Sequence, residues 1–507
     1  MPSAEPGPAS FAALRGAVLQ GHEPPPLQAV ARLAWYPWAV VGTVCIGAFM
    51  GQVDASLTQM LLPRLERDFH APLSTVSWVA VAYILTMASF MPIFGRLADM
   101  IGRKLLYTGA FLLFVIGSGL CGFAPDLPTL IAFRIVQGFG AALLTANSIA
   151  IVVLAVGPEH RGRVLGLQSA AQAIGLGVGP AVGGLVLDTL GWHWAFWINV
   201  PFGLLGLLLG WFVLPQTRHL QSGGRFDWHG AFLIAPALTA VVALLNEGYA
   251  WGVTSPAFIS CSVAAVVLLA LFVRAERRAA TPLIDFALLR QRAFVTGNLA
   301  NFLSYATLFG VFFLIPFVLV RVYQDSELVA GLRLSIVPVM LGLLAPVGGV
   351  LYDRFGARAA TAAGMAVCVA GLVLLYIFLD GKAANMPLIM LALAIFGTGQ
   401  GLFISPNSSA IMATAPEELT GEAGSLLNVV RYLGISTGIA GASTLLVLGI
   451  DAAPGSNGIT MDASSATLVF ASRAVILMLG ILGFLAGALS LMRTVPRKAR
   501  GEHAVEL

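Results

Sequence analysis

The stretch FGRLADMIGRKLLY, residues 94–107, lies between two long apolar runs and sets charged side chains among glycines. A related stretch, GGVLYDRFGARAA, occupies residues 348–360. Residues 95–104 and 349–358 align without a gap on the pattern G-x-L-x-D-x-x-G-x-[KR]. A single tight turn also favours glycine and basic residues, but a whole pattern that recurs predicts that the chain contains two related halves.

The composition predicts an all-α integral membrane protein. Only 10% of the 507 residues are charged and 58% are hydrophobic, with a mean hydropathy of +0.88, whereas soluble proteins carry about 25% charged residues. An apolar run of about 20 residues spans a bilayer as a helix. We predict fourteen such helices, over residues 35–62, 76–94, 105–124, 127–151, 165–187, 195–214, 229–246, 257–273, 294–320, 329–351, 360–379, 386–411, 424–449 and 470–492.

The two glycine-framed copies join the second predicted helix to the third and the tenth to the eleventh. This spacing gives two six-helix bundles with two helices inserted between them, and repeated halves of this kind are typical of transporters. The predicted units are a disordered tail at 1–34, a first bundle at 35–214, an insertion at 215–293, a second bundle at 294–492 and a tail at 493–507.

Lysine and arginine are unevenly distributed between the two ends of the predicted helices. With the N-terminus in the cytoplasm, the tails and cytoplasmic loops hold 20 of the 28 basic residues, the outer loops hold six, and two lie within spans. This asymmetry satisfies the positive-inside rule and predicts that both termini are cytoplasmic. The net charge of +4 therefore reflects membrane orientation and requires no nucleic-acid partner.

The first 34 residues and the cysteines carry little further information. The N-terminal segment lacks the short apolar core and cleavage site of a secretory signal. The four cysteines lie in apolar helices without metal or disulfide spacing. We interpret them as core residues and predict no metal site.

Four further motifs, in the expected order, resemble those of the major facilitator superfamily, specifically its fourteen-helix drug:proton antiporter branch. They are VDASLTQMLLP at 53–63, LIAFRIVQGFGAA at 130–142, GLGVGPAVGG at 175–184 and WHWAFWINVPFG at 192–203. The resemblance extends from about residue 35 to residue 495. It implies the major facilitator fold and a multidrug efflux transporter of the bacterial inner membrane, with transport by alternating access.

The repeated loop looks like the family's cytoplasmic gating motif. Glycine allows close approach and positive φ, an acidic residue can face a helix N-terminus or a basic partner, and basic residues lie near the anionic inner leaflet. The second copy has Ala357 where the first has Arg103, which predicts a weaker latch. The residues assigned to the gate are Gly95, Asp99, Gly102, Arg103, Lys104, Asp353 and Arg358.

The fifth predicted helix resembles the antiporter signature. Small residues at 175, 179 and 183 form one stripe, which permits tight contact between helices in lipid, and the proline can kink the helix. In the family this arrangement is thought to limit leakage through the closed state. The residues assigned to it are Gly175, Gly179, Pro180, Gly183 and Gly184.

Asp54 and Arg134 are ionisable residues inside predicted spans, where charges are costly and face a cavity or a partner. Each lies about seven or eight residues from the outer end of its helix, roughly 10 Å deep, so the two side chains can meet. An adjacent arginine favours an ionised carboxylate, whereas burial alone favours the protonated form. We predict that Asp54 exchanges a proton and that Arg134 tunes it. A static ion pair between two helices is the alternative.

The substrate cavity is harder to identify from sequence. Polar residues within apolar helices face protein or water rather than lipid, but many of them form only interhelical hydrogen bonds. Few charges and many aromatic residues suit lipophilic, amphipathic or cationic molecules. The candidate lining residues are Asn147, Gln172, Asn298, Asn301, Asn407 and Arg431.

The sequence contains no phosphate-binding G-x-x-x-x-G-K-[ST] loop, no HExxH and no G-x-S-x-G. These absences argue against an enzyme or an ATP-driven pump and favour transport driven by a proton gradient without a cofactor. A lipid or metabolite exporter and a non-transporting sensor or assembly partner are the alternatives. The resemblance implies a monomer and leaves open a tripartite assembly with a periplasmic adaptor and an outer-membrane channel.

Overall fold

The computed structural model describes residues 25–156, 160–217, 228–252, 254–279, 286–416, 419–452 and 463–493. Every regular element in these ranges is helical. The helices are α1 (Gln28–Ala31), α2 (Tyr36–Phe69), α3 (Leu73–Ile101), α4 (Arg103–Cys121), α5 (Leu127–Val156), α6 (Arg161–Thr189), α7 (Trp192–Trp197), α8 (Asn199–Val213), α9 (Trp228–Trp251), α10 (Pro256–Glu276), α11 (Phe286–Arg290), α12 (Arg292–Phe317), α13 (Glu327–Leu334), α14 (Ile336–Phe378), α15 (Met386–Met412), α16 (Thr420–Asp451) and α17 (Ser465–Met492). A π-helical turn at Val318–Val322 extends α12, and a 3₁₀ turn at Ala383–Asn385 precedes α15.

Twelve helical segments of the described chain are long and apolar enough to cross a membrane. One of them, Glu327–Phe378, contains a break at Gly356, where the backbone leaves the helical region with φ 80° and ψ 166°. Phe232–Gly248 is a shorter apolar helix. The predicted count of fourteen transmembrane helices is therefore not established and stays a prediction.

The helices form two groups that meet along a central interface. We call α2–α8 the first helix group and α12–α17 the second. Helix α3 contacts α16, and α6 contacts α13 and α14, so each group supplies helices to the interface. Helix α9 contacts both α3 and α16. Asn246 of α9 accepts a hydrogen bond from Ser77 Oγ of α3 at 3.0 Å, and the Leu245 carbonyl of α9 accepts one from Thr444 Oγ1 of α16 at 3.0 Å.

The N-terminal segment differs from the predicted disordered tail. Residues 28–31 form α1, and the amide of Leu27 donates to the carbonyl of Phe212 at 2.9 Å, which attaches the segment to α8. The prediction was therefore wrong for these residues, while 1–24 and 494–507 lie outside the described residues. The cysteines are free: Cys121 and Cys368 are buried, and Cys45 and Cys261 are partly buried.

Two glycines of the repeated loops adopt positive φ at equivalent positions. Gly102 has φ 118° between α3 and α4, and Gly356 has φ 80° at the break in α14. Thr217 Oγ1 accepts from the amides of Arg103 and Lys104 at 2.8 and 3.1 Å, which satisfies two otherwise free donors at the start of α4. A glycine is required at these two junctions because other residues rarely adopt this backbone conformation.

Two expectations about the first loop are not supported. Gly95 lies inside α3, and a Cβ placed there would meet no atom within 4 Å, so no close approach depends on it. Lys104 is only 1% exposed, so it does not lie at the lipid surface as predicted. Its backbone faces the segment after α8 and its side chain is enclosed by protein. The Asp99 side chain lies outside the described residues.

The glycine stripe of α6 lies directly against α2. A Cβ on Gly175 would come within 2.6 Å of the Phe49 carbonyl oxygen, and one on Gly183 would come within 3.1 Å of Leu57. Gly179 faces Ser56, and Gly184 faces the backbone of Glu327 in the second group. The stripe therefore brings α6 close both to α2 and to the second helix group.

Gly175→Ala is expected to destabilise the protein, since the new methyl group meets backbone that cannot rotate away. Overpacking of this kind costs about 1–3 kcal/mol. Gly177→Ala is the matched control, because a Cβ at Gly177 meets nothing within 4 Å. The melting temperatures of the purified variants in detergent check this. Equal melting temperatures for the two variants would contradict the close contact.

Candidate transport site

Asp54 and Arg134 form an ion pair in the interior of the first helix group. Arg134 Nη1 lies 2.7 Å from Asp54 Oδ2, and both residues are 0% exposed. The two residues come from α2 and α5, at the comparable depths that the sequence predicted. The structure thus brings together the two ionisable residues assigned to proton coupling, while their role in transport stays a prediction.

Two amides that the sequence analysis did not assign complete the shell of the carboxylate. Gln137 Nε2 and Asn199 Nδ2 donate to Asp54 Oδ1 at 2.9 and 3.0 Å. Ser118 Oγ accepts from the same Gln137 nitrogen at 3.1 Å and donates to the Phe196 carbonyl at 2.7 Å. Gln137 follows Arg134 by one helical turn and Asn199 lies in the quoted 192–203 segment, so both were visible in motifs but had no assigned role.

Arg134 is held on several sides besides its contact with Asp54. Its Nε donates to the Val79 carbonyl at 2.9 Å, and Nη2 donates to Thr58 Oγ1 at 3.2 Å. The guanidinium carbon lies 4.1 Å from the centre of the Tyr83 ring and 5.6 Å from that of Phe196. The cation is therefore fixed by α3 as well as by α2, and a movement between these helices changes its contacts.

A cavity lies beside α2, between the two helix groups. The cavity is narrow in this structure, with room for only about one or two water molecules. Ala55, adjacent to Asp54 in the chain, lines this cavity, so the cavity and the ion pair lie at a similar depth along α2. Among the described residues the lining consists of Gly47, Ala48, Gly51, Gln52, Ala55, Ile84, Met87, Leu144, Thr145, Ser148, Gln172, Phe309, Tyr432 and Ile435, none of them charged.

Only one of the six predicted lining residues, Gln172, is part of this lining. Asn147 and Asn298 donate to carbonyls of their own helices, at Leu143 and Phe294. These residues lie outside this lining, and the amide nitrogen of each bonds to its own helix, although the buried Oδ1 of each has no hydrogen-bond partner in the described structure.

The other predicted lining residues join helices. Asn301 donates to the Leu427 carbonyl at 3.4 Å, and Asn407 donates to the Gly297 carbonyl at 3.1 Å. Asn407 Oδ1 also accepts from Arg493 Nη1 at 3.1 Å. Arg431 is not in the lining itself, but its Nη2 donates to the hydroxyl of Tyr432 at 3.0 Å.

Ion pairs connect the two helix groups at the end opposite to the glycine-framed loops. Arg321 Nη2 lies 2.9 Å from Glu66 Oε2, and Glu66 is fully buried. Arg64 Nη1 lies 3.6 Å from Glu327 Oε1. The first helix group supplies the acid of one pair and the base of the other, and the second group supplies their partners. The sequence alone does not identify these residues, because acids and bases near helix ends occur in most membrane proteins.

A neighbouring pair closes the loop between α12 and α13. Asp325 pairs with Arg333. Partial burial raises the pKa of the Asp325 carboxyl, and the nearby Arg333 guanidinium opposes that increase. The loop is thus fixed within the second helix group, next to the ion pairs that connect the groups.

The second glycine-framed loop is open to solvent. Asp353 and Arg358 are exposed, and within the described part of the chain neither forms an ion pair. The predicted latch of this copy is therefore not engaged in the structure. The first copy cannot be compared in the same way, because Asp99 lies outside the described side chains.

The second helix group has an uncharged counterpart to the buried ion pair. Gln400 precedes a glycine in α15, as Gln137 does in α5, and its Oε1 accepts from Ser304 Oγ of α12 at 2.7 Å. Ser304 is on the first helix of its group, as Asp54 is. The related halves thus share an interhelical contact, and only the first half contains charge there.

Comparisons with known proteins agree with this architecture. The sequence model of the Major Facilitator Superfamily matches residues 44–439. The chain is 34% identical over 408 residues to the riboflavin transporter RibZ of Clostridioides difficile, which covers 80% of this chain and 87% of that protein. It is 32% identical over 409 residues to a multidrug resistance protein B homolog of Mycobacterium tuberculosis, covering 80% and 75%.

A solved structure shares the fold. The crystal structure of a D-xylose-proton symporter superposes with a TM-score of 0.66 at 16% identity, over 91% of this chain and 99% of that one. The predicted family is confirmed, and the chain is a transporter rather than an enzyme. From the family match over most of the chain and its transporter relatives, we conclude that the protein belongs to the Major Facilitator Superfamily.

Proposed function

We propose that the protein is a proton-coupled secondary active exporter of lipophilic or amphipathic small molecules, an antiporter that works by alternating access. The observation that carries this proposal is the buried Asp54–Arg134 pair, whose Asp54 is followed in α2 by Ala55 in the lining of a central cavity. A charge pair without access to water is costly to maintain, and ionisable groups inside membranes are usually functional. The proton gradient supplies the energy, and no cofactor is required.

The same proposal includes the membrane arrangement. The chain crosses the bacterial inner membrane fourteen times as two six-helix bundles, at 35–214 and 294–492, with two inserted helices between them. Both termini and the glycine-framed loops lie in the cytoplasm, in accordance with the distribution of basic residues. The break at Gly356 supports two crossings within Glu327–Phe378, and the apolar helix Phe232–Gly248 supports a further one. The transporter acts as a monomer.

Alternating access requires that one end of the interface closes while the other opens. The ion pairs Glu66–Arg321 and Arg64–Glu327 hold the outer end closed in this structure. The small residues of α6 seal the same end, because Gly184 lies against the backbone of Glu327. In the outward-open state these contacts separate, and the glycine-framed loops close the cytoplasmic end.

Proton coupling follows from the contacts of the carboxylate. In this structure the Asp54 carboxylate accepts hydrogen bonds from Arg134, Gln137 and Asn199. When α2 moves relative to α5, these donors withdraw, and a carboxylate in an apolar interior takes up a proton. Arg134 then promotes release of this proton when its ion pair with Asp54 forms again. Substrate in the cavity acts on the protonation of Asp54 through α2, because this helix contributes residues both to the cavity lining and to the ion pair.

A second candidate is export of an endogenous metabolite on the same scaffold. The riboflavin transporter among the relatives and the polar side chains of the cavity support it. Proteoliposomes containing the purified protein separate the possibilities. Accumulation of a foreign aromatic dye driven by an imposed pH gradient supports the proposed exporter, whereas accumulation of riboflavin without the dye supports the metabolite exporter. Flipping of a fluorescent phospholipid without such accumulation favours a lipid carrier.

Asp54→Asn is expected to abolish uphill transport driven by a pH gradient and to leave binding of riboflavin or dye largely unchanged, because the amide resembles the protonated acid. Proton release on addition of the bound compound should also disappear. Release is measured with the detergent-purified protein in weak buffer. Asp188→Asn is the control, since Asp188 is exposed near the end of α6.

If Asp54→Asn releases as many protons as the parent, then the coupling site lies elsewhere. Glu422, at the start of α16, is then the next acid to test. Binding that fails together with proton release indicates structural damage, which the melting temperature of the variant identifies.

Asp99→Asn is expected to reduce transport several-fold without loss of expression, and Asp353→Asn is expected to reduce it less. The second loop has Ala357 where the first has Arg103, so it has fewer charges with which to close the cytoplasmic end. Transport per molecule of inserted protein is the measurement. Equal damage by both substitutions would assign the gate to both loops.

Reversal of one charge in the Glu66–Arg321 pair is expected to impair transport, because two like charges then meet at a buried contact. The double variant Glu66→Arg with Arg321→Glu should restore most of the transport activity. Asp380→Asn is the control, because Asp380 pairs with Lys382 within the same loop and connects no second helix group. Failure of the double variant to recover while both single variants fold would argue against the pair as an outer gate.

A further inference from the structure

The second helix group contains a cation that no described carboxylate neutralises. Arg431 lies in α16 inside a membrane-spanning segment, and its contacts are the phenols of Tyr432 and Tyr305. The guanidinium carbon lies 4.8 Å from the centre of the first ring and 5.8 Å from that of the second. Its buried Nε has no hydrogen-bond partner. This differs from Arg134, whose charge is balanced by Asp54 and whose three nitrogens are all used.

Arg431 lies next to the cavity. It precedes the lining residue Ile435 by four positions in α16, and Tyr305 precedes the lining residue Phe309 by four positions in α12. Residues four apart share one face of a helix. Arg431 and Tyr305 are therefore one turn from the cavity, on the faces that line it, towards the end with the glycine-framed loops. Tyr432 contributes to the cavity and binds Arg431 directly.

The side chains that line the cavity determine which other features of a ligand can be recognised. It provides aromatic rings and a thioether at Phe309, Tyr432 and Met87, together with hydroxyl and amide groups, but no acid. Aromatic rings and methionine favour flat aromatic ligands. The nearest buried acid, Asp54, is unexposed and fully bonded within its own group. The cavity thus has no described group to neutralise a cationic ligand, and a guanidinium beside it opposes one.

We infer that Arg431 is a specificity-determining residue and that the preferred substrates are flat aromatic compounds that present an anionic or strongly accepting oxygen to it. Such an oxygen gives the guanidinium the charge-assisted hydrogen bond that the protein does not supply. Tyr305 and Tyr432 hold the guanidinium plane in position. Lipophilic cations, which would also fit an amphipathic exporter, are then poor substrates. This inference rests on the proposed function, since it assigns the charge of the molecules that the exporter carries.

Two xanthene dyes test the inference because they share a ring system and differ in charge. Fluorescein is anionic and rhodamine 123 is cationic at mildly alkaline pH. Binding of each to the detergent-purified full-length protein is measured by fluorescence anisotropy. The parent should bind fluorescein at least about ten-fold more tightly than rhodamine 123, a difference of the size expected for a hydrogen bond between charged groups.

Substitutions separate recognition from structural support. Arg431→Gln should weaken fluorescein binding about ten-fold or more and leave rhodamine 123 binding unchanged or stronger. Arg431→Lys should give an intermediate affinity, because it keeps the charge and loses the planar donor pair. Arg473→Gln is the matched control: Arg473 also lies near a tyrosine ring, 5.7 Å from Tyr376, but at the opposite end of the second group.

Equal binding of the two dyes by the parent, binding of neither dye, or equal weakening of both by Arg431→Gln would overturn the inference. Its failure is distinguishable from failure of the proposed function. The proposed function fails if dissipation of the pH gradient leaves riboflavin accumulation in proteoliposomes unchanged. That result is independent of how the purified protein ranks the two dyes.

Discussion

The ion pair between Asp54 and Arg134 constrains the arrangement of the whole first helix group. A carboxylate and a guanidinium at this depth have no water to solvate them, so the protein must supply the donors and acceptors. They come from five helices, since Thr58, Ser118 and Asn199 join the network from α2, α4 and α8 and the Val79 carbonyl joins from α3. Removal of one partner from a buried pair costs about 3–5 kcal/mol. The stability of this helix group and the proposed proton coupling therefore depend on the same contacts.

Much of this arrangement could be predicted from the sequence, because lipid limits the alternatives. Helix positions follow from apolar length, and the two positive-φ junctions follow from the repeated glycines. The meeting of Asp54 with Arg134 follows from equal depth and opposite charge. The roles of Gln137 and Asn199 do not follow. An amide in an apolar helix can bond to its own backbone, to another helix or to a substrate, and only the rotation of each helix decides between them.

The mistaken predictions have the same physical origin. Lys104 was expected at the lipid surface, but a long basic side chain beside a helix start can equally turn inward among protein groups. Asn147 was expected in the cavity, but it bonds one turn back in α5. In each case the sequence specifies the residue's depth along the membrane normal and not its direction around the helix. Depth is determined by length along the chain, whereas direction depends on which neighbours are present.

The unequal charge of the two related halves suggests how proton and substrate are linked. The first half contains a balanced pair at Asp54 and Arg134, while the second has neutral Ser304 and Gln400 at the related contact and an unbalanced Arg431 near the cavity. Tyr83 of α3 lies against the Arg134 guanidinium. Its neighbour Ile84 lines the cavity together with Tyr432 of α16, which binds Arg431. Because these groups come from α3 and α16, which meet at the interface between the halves, a rocking motion alters the proton site and the cavity together.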